Sequence, residues 1–376
     1  MNGYERMMTA IRRGQSDCVP IWELIVNRPV IEALYPELFG GSARARYERG
    51  SQGAFELQAE FVARENLDGI TVFEDSLVEK WLDGRTFVDE WGITWKVGDH
   101  NIPYAVGHPI KGERELDRWQ PPEPDADFRL KSLEAAVRRF KGEKAIVFLG
   151  HEAFEFSHYL RGMEELLADY VLRPELAHRL AQKVVQYKLR VLERAAEIGA
   201  DILCTGDDYA HRKAPIMSPR HFEQFVLPYL RQCVEVARRK GVPFLKHTDG
   251  NLWKIMDLIV GAGIDCLDPL EPIADMDMGR VKERYGHKVA LAGNVDCGRL
   301  LSSAPTEAVV EAVRETLAKG AVGGGLILAS SNSIHPAVRP QNYRAMVEAG
   351  RRFGHYPLDE AMVAQYRTRD YMASYR

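Results

Sequence analysis

The stretch LKHTDGN sets His247 two residues before Asp249 at the end of an apolar run. If that run is a β-strand, alternation turns both side chains to one side of the pleat, and an imidazole and a carboxylate converge on one point. Such a pair suits zinc, which becomes catalytic when a third protein ligand leaves one coordination position open. A buried histidine oriented by hydrogen bonds would leave the same trace, and the pattern alone does not separate the two. Similar runs end in Glu23, in Glu74 and Asp75, in His151 and Glu152, and in Asp207 and Asp208. The later ones end in Asp268 and Glu271, in Asn294, Asp296 and Cys297, and in Asn332 and His335. Taken singly, such carboxylates cap the next helix or pair with a cation. Asp268, before Pro269, and Asp296, closing GNVD, are read in that way.

The elements that must position these residues are eight apolar, β-branched runs separated by helical patterns, the signature of a parallel sheet. They are 19–26, 69–75, 145–150, 200–208, 242–249, 263–271, 289–296 and 324–332. Amphipathic segments such as PELAHRLAQKVVQYKLRVLERAAEIGA and PTEAVVEAVRETLAKGA lie between them, and many end in the Gly that stops a helix. The expectation is an α/β protein: one (β/α)8 TIM barrel over 1–376, with an N-terminal extension. After the second strand, TFVDEWGITWK alternates around an internal Gly and predicts a β-hairpin insertion at the barrel mouth. A doubly wound open sheet would carry a Gly-rich phosphate loop after its first strand, and WELIVNRP has none. In such barrels chemistry sits at the carboxyl ends of the strands, where the acidic inventory falls.

Composition narrows the class. The 376 residues carry 50 Lys and Arg against 54 Asp and Glu, interspersed, which points to neither nucleic acid nor an anionic membrane as partner. MNGYERMMTAIRRGQ lacks the apolar centre of a signal peptide, and no apolar run reaches the ~20 residues of a membrane helix, so a cytoplasmic location is expected. Five cysteines without a CxxC pair predict reduced thiols rather than a disulfide framework.

The stretches DEWGITWK, HFEQFVLPYLRQC, LKHTDGN, GIDCLDPLEP, ALAGNVD and GGGLILASSNSIHPAVRPQNYRAMVEAGRRFG resemble the uroporphyrinogen decarboxylase superfamily along nearly the whole chain. The resemblance also implies the barrel. Decarboxylases of that superfamily carry an Arg-Gln-Ala-Gly-Arg segment after the first strand, where this chain has ELIVNRP, which argues against porphyrinogen decarboxylation; Asp75 does fall where they carry a pyrrole-binding Asp. Another branch contains zinc-dependent methyltransferases that exchange a methyl group with the cobalt of a corrinoid protein. In its thiol-methylating members zinc is held by His-X-Cys and a later Cys. Here His247 matches the His, while Asp249 and Asn332 stand at the two Cys positions.

Harder donors leave zinc a stronger Lewis acid that favours oxygen ligands. The resemblance therefore implies the first methyltransferase of an O-demethylase system, which passes the methyl group of a methoxylated aromatic compound to a corrinoid. The chain has no Asp-X-His-X-X-Gly motif, so the cobalamin would arrive on a partner protein. On this reading His247 and Asp249 bind zinc, with Glu23, Cys297 and Asn332 as unranked third ligands. One of Glu74, Asp75, Asp207 and Asp208 is the catalytic acid. Trp22, Tyr209 and Asn332 contact substrate, with Trp91, Phe154 and Phe156 as further aromatic candidates. Methyl transfer from a methylcorrinoid to a thiol or folate is the alternative, a decarboxylase the next, and a homodimer is compatible with all three.

Overall fold

The computed structural model describes residues 1–39, 50–98 and 102–375. Strand β1 (Gly69–Phe73) is followed by β2 (Val78–Trp81), β3 (Thr86–Asp89), β4 (Thr94–Val97) and β5 (Pro103–Gly107), which pair antiparallel in a four-stranded sheet. Then come β6 (Ala145–Gly150), β7 (Ile202–Thr205), the short β8 (Ala210–His211) and β9 (Ala214–Pro215), β10 (Phe244–His247), β11 (Cys266–Asp268), β12 (Ala290–Val295) and β13 (Leu326–Ser330). The main sheet runs β1-β6-β7-β10-β11-β12-β13, every neighbouring pair parallel. It curls, so that its two faces bury different side chains. Ala145, Val147, Ile202, Leu245, Ala292 and Ile327 meet on the concave side. Ile146, Phe148, Leu203, Phe244 and Leu291 face the surrounding helices. Helix Gly3–Ile11, started by an Asn2 and Glu5 capping box, adds Met7, Ala10 and Ile11 to the concave cluster.

The expected first strand is not formed: 19–26 is irregular and joins the sheet only by single bridges, Ile21 to Leu328 and Val26 to Ile334. The cause lies in its residues. Pro20 has no amide to donate, so its carbonyl accepts from Leu328 while Trp22 donates back to Leu328. On the β1 side the Ile21 amide donates to the Asp68 carboxylate at 2.7 Å, and on the β13 side the Ser330 amide reaches the Glu23 carboxylate at 3.2 Å. Side-chain oxygens take rungs that backbone carbonyls hold in a regular ladder.

The insertion is larger than a hairpin. TFVDEWGITWK supplies β3 and β4, with Gly92 at φ 78° in the turn, and β2 and β5 flank them. Asp89 fixes this turn by accepting the amides of Trp91 and Ile93, each at 2.9 Å, and the Trp95 indole at 2.7 Å. All five cysteines are buried and unpaired. Among the described residues no helix is long and apolar enough to cross a membrane.

Candidate functional site

His247 closes β10 opposite Asp268, the last residue of β11, and parallel register sets the two side chains next to one another. His247 Nδ1 lies 2.5 Å from Asp268 Oδ2, so the ring proton belongs on Nδ1 and Nε2 points to Asp249, whose Oδ1 is 3.5 Å away. Asp268 is thus an orienting partner of His247, where a helix cap or a pairing with lysine or arginine was expected. The second oxygen of Asp249 accepts from Asn332 Nδ2 at 2.6 Å, and the same amide group reaches Glu271 Oε1 at 3.2 Å. Glu271 is itself held by the Gly250 amide at 2.8 Å. From the segment after β7, Asp208 accepts the Asp249 amide at 3.0 Å. Donor atoms of Asp208, His247 and Asp249 all lie within 4.8 Å of one another.

The electrostatics are those of acids crowded without enough cations. Burial opposes charge on His247, but the hydrogen bond to Asp268 and the charges of Asp249, Asp268 and Asp208 outweigh it and push the ring up to about 9. Burial raises Asp249 to about 8, against the pull of His247, with Asp208 and Glu271 adding repulsion. Burial also raises Asp208 and Glu271. Asp249 Oδ1 is buried without a hydrogen-bond partner, an expensive arrangement for a carboxylate unless something else completes it. A cation would do so: one nitrogen and two oxygens, with the far side of the imidazole anchored on a carboxylate, form a donor set suited to zinc.

The other expected residues are distributed differently. Asp207, directly before Asp208, turns the opposite way and accepts the amides of Glu152 at 2.8 Å and Glu155 at 2.9 Å, at the start of helix Phe154–Arg161. Burial favours its protonated form, yet the His151 hydrogen bond and nearby Lys246 hold it ionised, below the usual range. Asp75 accepts the amide and hydroxyl of Ser132 at 2.8 and 2.6 Å, at the start of helix Lys131–Phe140. Glu74 is bound by Lys188 at 3.2 Å, Arg129 at 3.4 Å and the Tyr187 hydroxyl. Of the four carboxyls from which one acid was expected, Asp208 thus stands in the cluster, while Asp75 and Asp207 bond to helix starts and Glu74 to cations.

Among the ligand candidates, Glu23 accepts the Ser330 hydroxyl at 2.6 Å and Cys297 Sγ contacts Ser331; neither belongs to the three-residue cluster. Trp22 packs in the concave core with Met7 and Leu24, and Tyr209 is fully buried with its hydroxyl on Glu152. Phe154 lies in the outer core, whereas Trp91 and Phe156 line a cavity beside the antiparallel sheet. Asp208, expected among the candidate acids, stands by position beside His247 and Asp249 as a ligand candidate.

A curled parallel sheet with helices outside and a histidine–carboxylate site at its carboxyl end defines an α/β enzyme of the TIM-like kind. The sequence profile of uroporphyrinogen decarboxylase (URO-D) matches residues 2–353, and the chain belongs to that family. Uroporphyrinogen decarboxylases of Myxococcus xanthus (strain DK1622) and Alkalilimnicola ehrlichii are each 25% identical to it, over 359 and 363 residues. The alignments span 93% and 92% of this chain and 97% and 93% of theirs. A methyltransferase from Methanosarcina mazei superposes with a TM-score of 0.75 at 18% identity, covering 94% of this chain and 99% of that one, which shows a shared fold.

Proposed function

We propose that the protein is a zinc-dependent methyltransferase that moves a methyl group from a methoxylated aromatic compound to the cobalt of a corrinoid carried by a partner protein. Segment 19–26 is read with it as the eighth stave of a closed barrel. The observation that carries the reading is the buried Asp249 Oδ1, which accepts no hydrogen bond and faces His247 and Asp208. Asp208, His247 and Asp249 would hold the zinc, which would supply Lewis acidity toward the ether oxygen.

The chain's own residues do the rest. Asp268 fixes the tautomer of His247, and Asn332 and the Gly250 amide hold Asp249 and Glu271 in place. The partner's corrinoid would supply the nucleophile that accepts the methyl group, and the oxygen released when the O–CH3 bond is broken would take a proton, for which we assign Glu271. Oxygen-rich donors support ether over thiol as substrate.

The names of the similar decarboxylases favour a second reading, decarboxylation of a polyacid. Against it stand the absence of the Arg-Gln-Ala-Gly-Arg segment and the binding of Asp75 to Ser132. The test is to mix zinc-loaded protein with cob(I)alamin and 2-methoxyphenol. Methylcobalamin and the demethylated diol should appear together. No methyl transfer from any aryl methyl ether, with carboxyl loss from uroporphyrinogen instead, would overturn the proposal.

A further inference from the structure

Beside the cluster, the four-stranded antiparallel sheet roofs a cavity of about 290 Å³ over the ends of β1 and β6. Its walls are aromatic: Trp91 and Trp95 come from the sheet and Phe156 from helix Phe154–Arg161, with the Trp91 and Phe156 rings 4.5 Å apart at 51°. The cavity and the cluster are linked through intermediate residues. His151 lines the cavity and sets Nδ1 3.3 Å from Asp207, and Glu155, next to Phe156, accepts the Asp208 amide at 3.4 Å.

The charges of the lining are already matched. Lys188 is its one ammonium or guanidinium among the described residues; its Nζ sits 3.6 Å from the centroid of Phe156 and 3.2 Å from Glu74 Oε2. The Asp89 carboxylate is taken by two amides and the Trp95 indole. An entering anion would find no unpaired cation and two carboxylates nearby, whereas a neutral ring would find aromatic faces and the imidazole of His151 as polar partner.

We propose that this cavity is the ring subsite and that it selects an uncharged methoxyphenol over a methoxybenzoate. The inference rests on the methyltransferase reading for the identity of the ring, but its test needs neither metal nor corrinoid. Binding of 2-methoxyphenol and 2-methoxybenzoate to the full chain is followed by tryptophan fluorescence and calorimetry. The phenol should bind roughly tenfold more tightly than the benzoate.

Phe156→Leu should weaken phenol binding roughly fivefold, as loss of an aromatic contact does. Glu74→Gln, which frees the Lys188 ammonium, should strengthen benzoate binding roughly tenfold, a gain that misfolding does not produce. Equal or tighter benzoate binding by the unaltered protein, or affinities indifferent to both substitutions, would overturn the subsite. If the binding results hold and no methyl transfer occurs, the subsite stands and the proposed activity falls. If methyl transfer occurs while binding ignores both substitutions, the subsite alone falls.

Discussion

The two sides of the sheet's carboxyl end hold similar numbers of acids in opposite conditions. Near β1 and β6, Glu74 and Glu90 meet Lys188 and Arg129, and Asp75 meets the start of a helix. Near β7, β10 and β11, Asp208, Asp249 and Glu271 have His247 and the Asn332 amide but no lysine or arginine ion pair among the described residues. Acids matched by cations or amides hold structure together, and acids left to one another call for a metal ion or a proton. What locates chemistry is therefore the balance of cations around the carboxylates, more than the carboxylates themselves.

The comparison breaks most sharply at His247. His247→Ala should abolish stoichiometric zinc and lower methyl transfer on the order of 100-fold or more, measured by elemental analysis and methylcobalamin formation. Full zinc content in this variant would dissolve the contrast between the two sides. Asp268→Asn keeps the shape but weakens the anchor of the ring, and should reduce zinc affinity ~10-fold to 100-fold in a chelator competition.

Asp75→Asn tests the other side. It should cost ~1–2 kcal/mol of folding stability in urea and leave zinc affinity unchanged, because its acceptor role toward Ser132 serves a helix. A loss of zinc with no loss of stability would reverse the assignment.

Glu23 shows a third fate for an acid, away from both sides. Burial raises its carboxyl from 4.5 to about 8, against the hydrogen bonds from Ser330. A proton is therefore bound more tightly by the folded chain than by the unfolded one. Stability from this residue is greatest below about 4.5, falls as pH rises toward 8, and is level above it. Glu23→Gln should flatten that part of the profile of Tm against pH, and an unchanged slope would place the proton elsewhere.

The parallel sheet was legible because runs such as AIVFLG and VALAGNVD are buried on both faces, which composition reveals directly. The run at 19–26 is comparably apolar and still fails as a strand, since Pro20 and the carboxylates of Glu23 and Asp68 reassign its hydrogen bonds. Alternation located His247 and Asp249. It did not show that Asp268 would orient His247, because that contact depends on which strands are neighbours and in what register. Nor did it separate Asp207 from Asp208, or show that Trp22 and Tyr209 would be enclosed while Trp91 and Phe156 line a cavity. Those differences arise only when distant segments pack.

The side-chain rungs at 19–26 have a consequence for amide exchange. A backbone rung opens only when a stretch of strand gives way, whereas a carboxylate rung opens by a single rotamer change. The amides of Ile21 and Ser330 are bonded in this second way. Deuterium should enter them well before the amides of β6 and β7, so that the seam beside 19–26 is where the wall of this fold first breathes.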